Sequence, residues 1–350
     1  MSRSSRPSDL LGVVASRLTP GSRRALDDLR HRLVTTASRT PTTPARAVRR
    51  VLSGTLEDAV RDRVVLVTGA SSGIGEATAL RLGRAGATVV LVARRREQLE
   101  QVRDQIVAAG GRADVHPCDL TDLDAVAAMA AAVLADHGRV DVLVNNAGHS
   151  IRRPVHRSYD RMHDFERTMQ INYYAAVKLT LALLPSMREQ GRGQVVNVLS
   201  EGLLVHTPKF AAYLASKAAL DEFSRCVAGE VRADGVRFTG VHMPLVRTPM
   251  IAPTKAYRGV PALRPAEAAD LIVEAIVEAP YAVTPRSGHA LRAAWAVAPE
   301  AVEAVIGRVA GGSRFAGSGS GSGSGAAAQA EPSPPVDDPD PDPVAARSSR

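Results

Sequence analysis

Tyr213 and Lys217 stand four residues apart in Tyr213-Leu214-Ala215-Ser216-Lys217, a spacing that sets a phenol beside an ammonium on one helical face. A phenol with an ordinary pKa of about 10 shuttles protons poorly at neutral pH. A fixed cation favours the phenolate, so Lys217 is expected to lower the pKa of Tyr213. The pair then suits proton transfer at an oxygen, although a Tyr and a Lys at this spacing occur on many helices. Thirteen residues earlier Ser200 follows the apolar run Gln194–Leu199, and its hydroxyl could hold a carbonyl. Further upstream, Thr68-Gly69-Ala70-Ser71-Ser72-Gly73-Ile74-Gly75 follows Arg63-Val64-Val65-Leu66-Val67 and opens a helical pattern. Glycines there let backbone N–H groups approach a pyrophosphate, and the helix N-terminus adds partial positive charge. By itself such a turn can also carry glycine for geometry alone.

These groups need a scaffold that converges them. The apolar runs Val64–Val67, Thr88–Ala93, Val140–Val144, Gln194–Leu199 and Val236–Val241 are predicted strands, with a last one in Tyr281–Thr284. Between them, Leu99, Val102 and Ile106 share one side of a predicted helix near 98–109, and 122–135 reads as an Ala-rich helix. Continuous apolar strands separated by helices imply a parallel sheet covered on both faces, a doubly wound α/β fold. Ligands of such sheets bind at the C-terminal strand ends. The glycine turn, Asn145-Asn146-Ala147-Gly148 and Ser200 all fall there, with Asn172 in the following long helix. Residues 289–310 are predicted to add one or two helices, carrying Trp295, the only tryptophan.

With 350 residues and 45% apolar content the chain can bury a large core. Residues 1–50 hold 11 Arg against 3 acidic residues, which equals the whole chain's formal charge of +8 and leaves the remainder near neutral. That distribution excludes a nucleic-acid-binding core. Cys118 and Cys226, the only cysteines, fall in apolar patterns and are expected to be packed, reduced thiols of a cytoplasmic protein. No apolar run reaches the roughly 18 residues of a spanning helix. Leu10–Ala15 is short for a secretion signal and follows Asp9, while the Arg- and Ser-rich start also fits an organellar transit peptide. Leu26, Leu29 and Leu33 recur at helical spacing among arginines, which suits peripheral contact with an anionic membrane or docking on the chain's own domain or a partner subunit. Gly317–Gly325 alternates Gly and Ser, and Pro332–Pro343 is rich in Pro and Asp, so this tail is expected to be disordered. His149, His156 and His163 are seven apart, about 10 Å along a helix that Pro154 would interrupt, and no metal site is expected.

Taken in order, TGASSGIG, NNAG, Ser200 and YLASK resemble the compact branch of the short-chain dehydrogenase/reductase family over about residues 61–285. The resemblance implies a Rossmann sheet of about seven strands and an NAD(P)-dependent enzyme that forms dimers or tetramers through helices around 161–190 and 212–234. It divides the chain into a basic, partly helical extension (1–60), the dinucleotide-binding reductase domain (61–285), a helical extension (286–314) and the tail (315–350). Carried over residue by residue, it makes Tyr213 the general acid, has Lys217 lower its pKa and bind the nicotinamide ribose, has Ser200 polarise the carbonyl, and gives Asn172 a water linked to Lys217. Gly69, Ser71, Ser72, Gly73, Ile74 and Gly75 would surround the pyrophosphate. Asp119 and Leu120 would meet the adenine, Asn146, Ala147 and Gly148 the adenosine ribose side, and Thr248 the carboxamide. Two departures are Pro244-Leu245, where the family has Pro-Gly, and Leu199, where a second serine is common.

Cofactor choice follows from charge. Thr88–Ala93 ends in Arg94-Arg95-Arg96 and lacks the acidic residue that binds a free ribose 2′-hydroxyl, so Arg94 and Arg95 are expected to select the 2′-phosphate of NADPH. Gly202-Leu203-Leu204-Val205 and the segment after Pro244 offer apolar walls, with Arg247, Lys255 or Arg258 able to meet phosphates. Ser150-Ile151-Arg152-Arg153 and His242–Lys255 are similar to the reductase domain of bacterial fatty acyl-CoA reductases, which implies a long-chain acyl-CoA or fatty aldehyde substrate. Two other readings stand beside it: a generic reductase of ketones or 3-oxoacyl thioesters, and a nucleotide-sensing scaffold whose basic arm binds a membrane or partner.

Overall fold

The computed structural model describes residues 20–41, 44, 46–48, 53–252, 254, 257 and 259–310. The Leu10–Ala15 run, Lys255, Arg258 and the tail from 315 onward lie outside the described residues. Seven strands form one sheet in the order β3-β2-β1-β4-β5-β6-β7. They are β1 (Val64–Thr68), β2 (Thr88–Ala93), β3 (Arg112–Pro117), β4 (Val142–Asn145), β5 (Gly193–Val198), β6 (Val236–Val241) and β7 (Ala282–Val283). Every pairing is parallel.

The helices are α1 (Pro20–Ser38), α2 (Leu56–Val60), α3 (Gly73–Arg84), α4 (Arg96–Ala108), α5 (Leu123–His137), α6 (Met162–Met169), α7 (Ala175–Glu189), α8 (Ala211–Val231), α9 (Pro265–Glu278), α10 (Arg286–Val297) and α11 (Pro299–Ala310). Strand side chains alternate between two cores, as the period of two requires. Val65 and Val67 of β1 join Val89 and Leu91 of β2 against Leu82 of α3, Leu99 and Ile106 of α4 and Ile272 of α9. Val64 and Leu66 join Val90 and Val92 on the other face, against Val126 and Val133 of α5 and Leu179 and Leu183 of α7. Because both faces are covered, all five residues of β1 are buried. The chain leaves β1 toward β2 on one side and returns at β4 on the other, which opens a crevice at the C-terminal ends of β1 and β4.

Three features differ from the sequence reading, and the N-terminal arm follows its docking alternative through residues other than its leucines. β3 has no apolar run: Arg112 and Asp114 are exposed, and the strand pairs with β2 alone at the sheet edge. Asn172 lies in one turn of π-helix, Gln170–Tyr174, inserted between α6 and α7. Cys118 is buried, but Cys226 is exposed. Two residues past buried Ser224, Cys226 is turned about 200° around α8 and so faces outward. Leu29 and Leu33 are exposed as well. The arm instead packs Val34 against the core and pairs with α9, through His31 Nε2 to Glu267 at 2.9 Å and Arg46 to Glu274 and Glu278 at 2.6 and 3.0 Å.

Candidate active site

The glycine turn is shaped by contact rather than by flexibility. Gly69 and Gly73 have φ of +67° and +61°, the left-handed region that side chains disfavour. A Cβ on Gly75 would stand 2.2 Å from the Gly69 carbonyl oxygen, so only hydrogen fits where α3 meets the end of β1. Ser72 precedes α3 without a side-chain capping bond, which leaves the first amides of that helix to a ligand.

Thr68 fastens this turn to the end of β4. Its hydroxyl accepts from the N–H groups of Asn146 and Ala147, both at 3.0 Å, and donates to Val144 O at 3.2 Å. Asn146 Nδ2 donates to Thr68 O at 2.9 Å. Thr248 lies over the turn, its Cγ2 3.1 Å from where a Gly73 Cβ would be. Leu120 lines a small hollow with Thr68, Asn145 and Ala147. Asp119 is drawn into a local turn, accepting from the Thr121 N–H and hydroxyl at 3.0 and 2.8 Å. Arg95 Nη2 reaches Ser71 Oγ at 3.4 Å, while Arg94 is exposed beside it. Thus the glycine turn, Arg95, Asn146 to Gly148 and Thr248 surround one crevice; Asp119 and Leu120 stand at its flank.

The second half of the site is built on the π turn. Asn172 is buried, and its Oδ1 accepts from His149 N at 2.8 Å. Its Nδ2 donates to His149 O at 2.9 Å and to Ser216 Oγ at 2.8 Å. Ser216 passes the chain to Tyr213 O at 2.7 Å. The asparagine thereby locks the loop after Asn145-Asn146-Ala147-Gly148 to the helix that carries Tyr213 and Lys217. Lys217 is buried, and its Nζ donates to Val198 O at 2.8 Å. A Cβ on Gly148 would stand 2.8 Å from Asn172 Oδ1 and 3.3 Å from Lys217 Nζ, which places both groups at the crevice wall. Ser200 Oγ accepts from Gly202 N at 3.1 Å and is hydrogen-bonded to the Tyr213 side chain.

The electrostatics correct the expectation for Tyr213. Burial pushes its phenol above the ordinary range, and the hydrogen bond with Ser200 works against that shift. Burial outweighs any attraction from Lys217, whose Nζ donates to Val198 O and whose own pKa is lowered by burial to about 8. Burial thus favours the protonated phenol, the form with a proton to give.

Sequence reasoning missed the clasp residues Thr68 and Ser216 and the buried bridge behind them. There, Asn145 Nδ2 donates to Asn197 Oδ1 at 2.8 Å, and Asn197 Nδ2 to Ser224 Oγ at 2.6 Å. Polar residues closing buried apolar strands were the available signal, since such groups need partners. It missed Tyr257 too, whose ionisation would oppose that of Tyr213 and whose own phenol is raised by burial. Of the three histidines, His149 supports Asn172 through its backbone, whereas His163 lies 3.5 Å from Asp164.

This arrangement fits a dinucleotide. The left-handed glycines, the space closed to any Cβ at Gly75, the uncapped helix start and a guanidinium beside the turn make a cradle for phosphates, with a hydroxyl pair beyond it. Comparison with known proteins agrees. The chain matches the short chain dehydrogenase family over residues 63–258. It is 51% identical over 249 residues to a fatty acyl-CoA reductase of Acinetobacter baylyi, covering 71% of this chain and 84% of that protein. A fatty acyl-CoA reductase of Mycobacterium tuberculosis is 43% identical over 288 residues, 82% of this chain and 97% of that one. Among solved structures, a metagenomic short-chain oxidoreductase in complex with NADP superposes with a TM-score of 0.55 at 38% identity, covering 63% of this chain and 92% of that one. With the crevice, the cradle and these relatives in agreement, the chain belongs to the short-chain dehydrogenase/reductase family and is an NAD(P)-dependent oxidoreductase.

Proposed function

We propose that the enzyme uses NADPH to reduce a long-chain acyl-CoA or fatty aldehyde. The observation that carries the chemistry is the hydroxyl pair Ser200–Tyr213, hydrogen-bonded beside the phosphate cradle with a neutral phenol. The glycine turn, Asn146 to Gly148 and Thr248 would hold a nicotinamide dinucleotide, which would supply the hydride. The chain's own residues do the rest. Ser200 donates a hydrogen bond to the carbonyl oxygen and orients it. Tyr213 gives its proton to that oxygen as negative charge develops there. Lys217 is the nearby cation that stabilises the phenolate left behind, and Asn172 keeps the helix and the Gly148 loop in register for the transfer. Reduction of an aldehyde in this way yields an alcohol. With a thioester, the adduct gives up its hydroxyl proton as the C=O bond re-forms and the C–S bond breaks, and the leaving sulfur takes up a proton, so that an aldehyde and a thiol are released.

Arg95 beside Ser71 supports NADPH over NADH, because a guanidinium favours a 2′-phosphate and the end of β2 runs into Arg94-Arg95-Arg96 rather than an acidic residue. The lipid-like substrate is supported by the two relatives named as fatty acyl-CoA reductases and by the apolar stretch Leu203–Val205 after Ser200. The test follows NADPH consumption with a panel of acyl-CoAs, fatty aldehydes, 3-oxoacyl thioesters, short ketones, sugars and steroids. Turnover of long-chain acyl-CoA or aldehyde is expected. Activity confined to sugars or steroids would remove the lipid substrate, and equal efficiency with NADH would remove the cofactor choice.

A further inference from the structure

Helix α10 lies beyond the region matched to the family, residues 63–258, yet it is fastened to the loop that follows Ser200. Ser287 donates a hydrogen bond to the Glu201 carboxylate. Gly288 packs so closely on Leu204 that a Cβ would stand 2.5 Å from Leu204 Cδ1. Two turns later the Trp295 ring lies 4.5 Å from that of His206. The three contacts run in order along residues 201–206, and the Glu201 N–H is itself held by Met243 O at 2.9 Å. The N-terminal arm also holds the start of α10, where Arg286 N donates to Arg39 O at 3.0 Å and the Ser287 hydroxyl lies 3.5 Å from Ala37 O. Burial keeps the Glu201 carboxyl above its ordinary range, with the Ser287 hydrogen bond opposing that shift. An apolar side chain would fill the same space without a desolvation cost, whereas a carboxyl–hydroxyl tie fixes direction.

We propose that Glu201 is a positioning residue: through Ser287 it fastens the 201–206 loop to α10, which becomes a fixed wall of the substrate site and holds the Ser200 hydroxyl against Tyr213. This rests on the carbonyl-reductase reading of that site. Trp295 is the only tryptophan in the chain, so its emission reports the wall directly.

The experiment compares Glu201→Ala, Ser287→Ala and Glu201→Gln in the full-length protein. Both alanine variants are expected to raise KM for the carbonyl substrate and lower kcat/KM about ten-fold, with KM for NADPH unchanged and Trp295 more open to acrylamide quenching. Glu201→Gln still accepts from Ser287 and is expected to keep kcat/KM within about three-fold of the parent. The proposal is overturned if the alanine variants keep the parental kcat/KM, if the glutamine variant loses as much as they do, or if KM for NADPH rises in parallel. Should the parent enzyme reduce no carbonyl offered, the reductase reading fails by itself. Acrylamide quenching still decides the tie, and equal quenching of parent and alanine variants overturns it.

Discussion

At Tyr213 the proton is governed by burial before charge. The phenol is raised above its ordinary range by its surroundings, and Ser200 recovers part of that shift. Reduction therefore starts from a hydroxyl able to donate, and Tyr213→Phe removes the donor while leaving the phosphate cradle intact. Turnover is expected to fall by about two to four orders of magnitude with NADPH affinity little changed, as steady-state rates and cofactor titration would show. Lys217 sets the pH range. Its pKa is lowered to about 8 by burial, so the ammonium is complete below that pH and is lost as pH rises through it. If the ammonium supports the phenolate formed on proton transfer, kcat/KM for reduction should be level below about 8 and fall with increasing pH above it. Lys217→Arg keeps its charge, and the fall should move to higher pH even at a lower overall rate. An unmoved profile in that variant would assign the limb to another group.

Elements buried on both faces were the legible part of this fold, because their function and their sequence pattern have one cause. Strands β1, β2, β4, β5 and β6 read as continuous apolar runs, and α4 presented Leu99, Val102 and Ile106 at helical spacing. β3 escaped because an edge strand pairs on one side and can leave Arg112 and Asp114 in water. The π turn at Asn172 escaped because an i→i+5 insertion leaves no mark in residue type. At the site, strand-end position and the family resemblance pointed to Ser200, Tyr213 and Lys217, but the burial that shifts their proton balance left no mark in the sequence. The cofactor choice belongs to this scale too, for Arg95 owes its place to the end of β2 and the start of α4. Arg95→Ala should lower kcat/KM with NADPH about ten-fold or more and leave that with NADH nearly unchanged, in a direct comparison of the two cofactors. Parallel losses with both would assign Arg95 to structure instead.

Across the whole molecule, segments distant in sequence are joined by polar contacts as well as by the apolar cores. Arg46 reaches across to α9, its guanidinium 2.6 Å from Glu274 and 3.0 Å from Glu278. The Glu278 side chain is only 5% exposed, and burial raises the Glu274 carboxyl although Thr40 and Arg46 oppose that shift. Arg46→Ala would leave a buried and a half-buried carboxyl one helical turn apart without their shared cation. Removing a partner from such a pair is costly, about 1–3 kcal/mol here because the pair keeps some contact with water. The pH dependence has a definite sign. Without Arg46 the Glu274 carboxyl, already raised by burial, binds a proton in the folded state more readily than in the unfolded one, where its pKa is about 4.5, so the folded state loses stability relative to the unfolded as pH rises above that value. The destabilisation caused by Arg46→Ala should therefore be larger at pH 8 than at pH 5, measured by urea denaturation of parent and variant at each pH. If the difference is the same at both, the arm is held by packing of Val34 and its neighbours, and the ion pairs only decorate the contact.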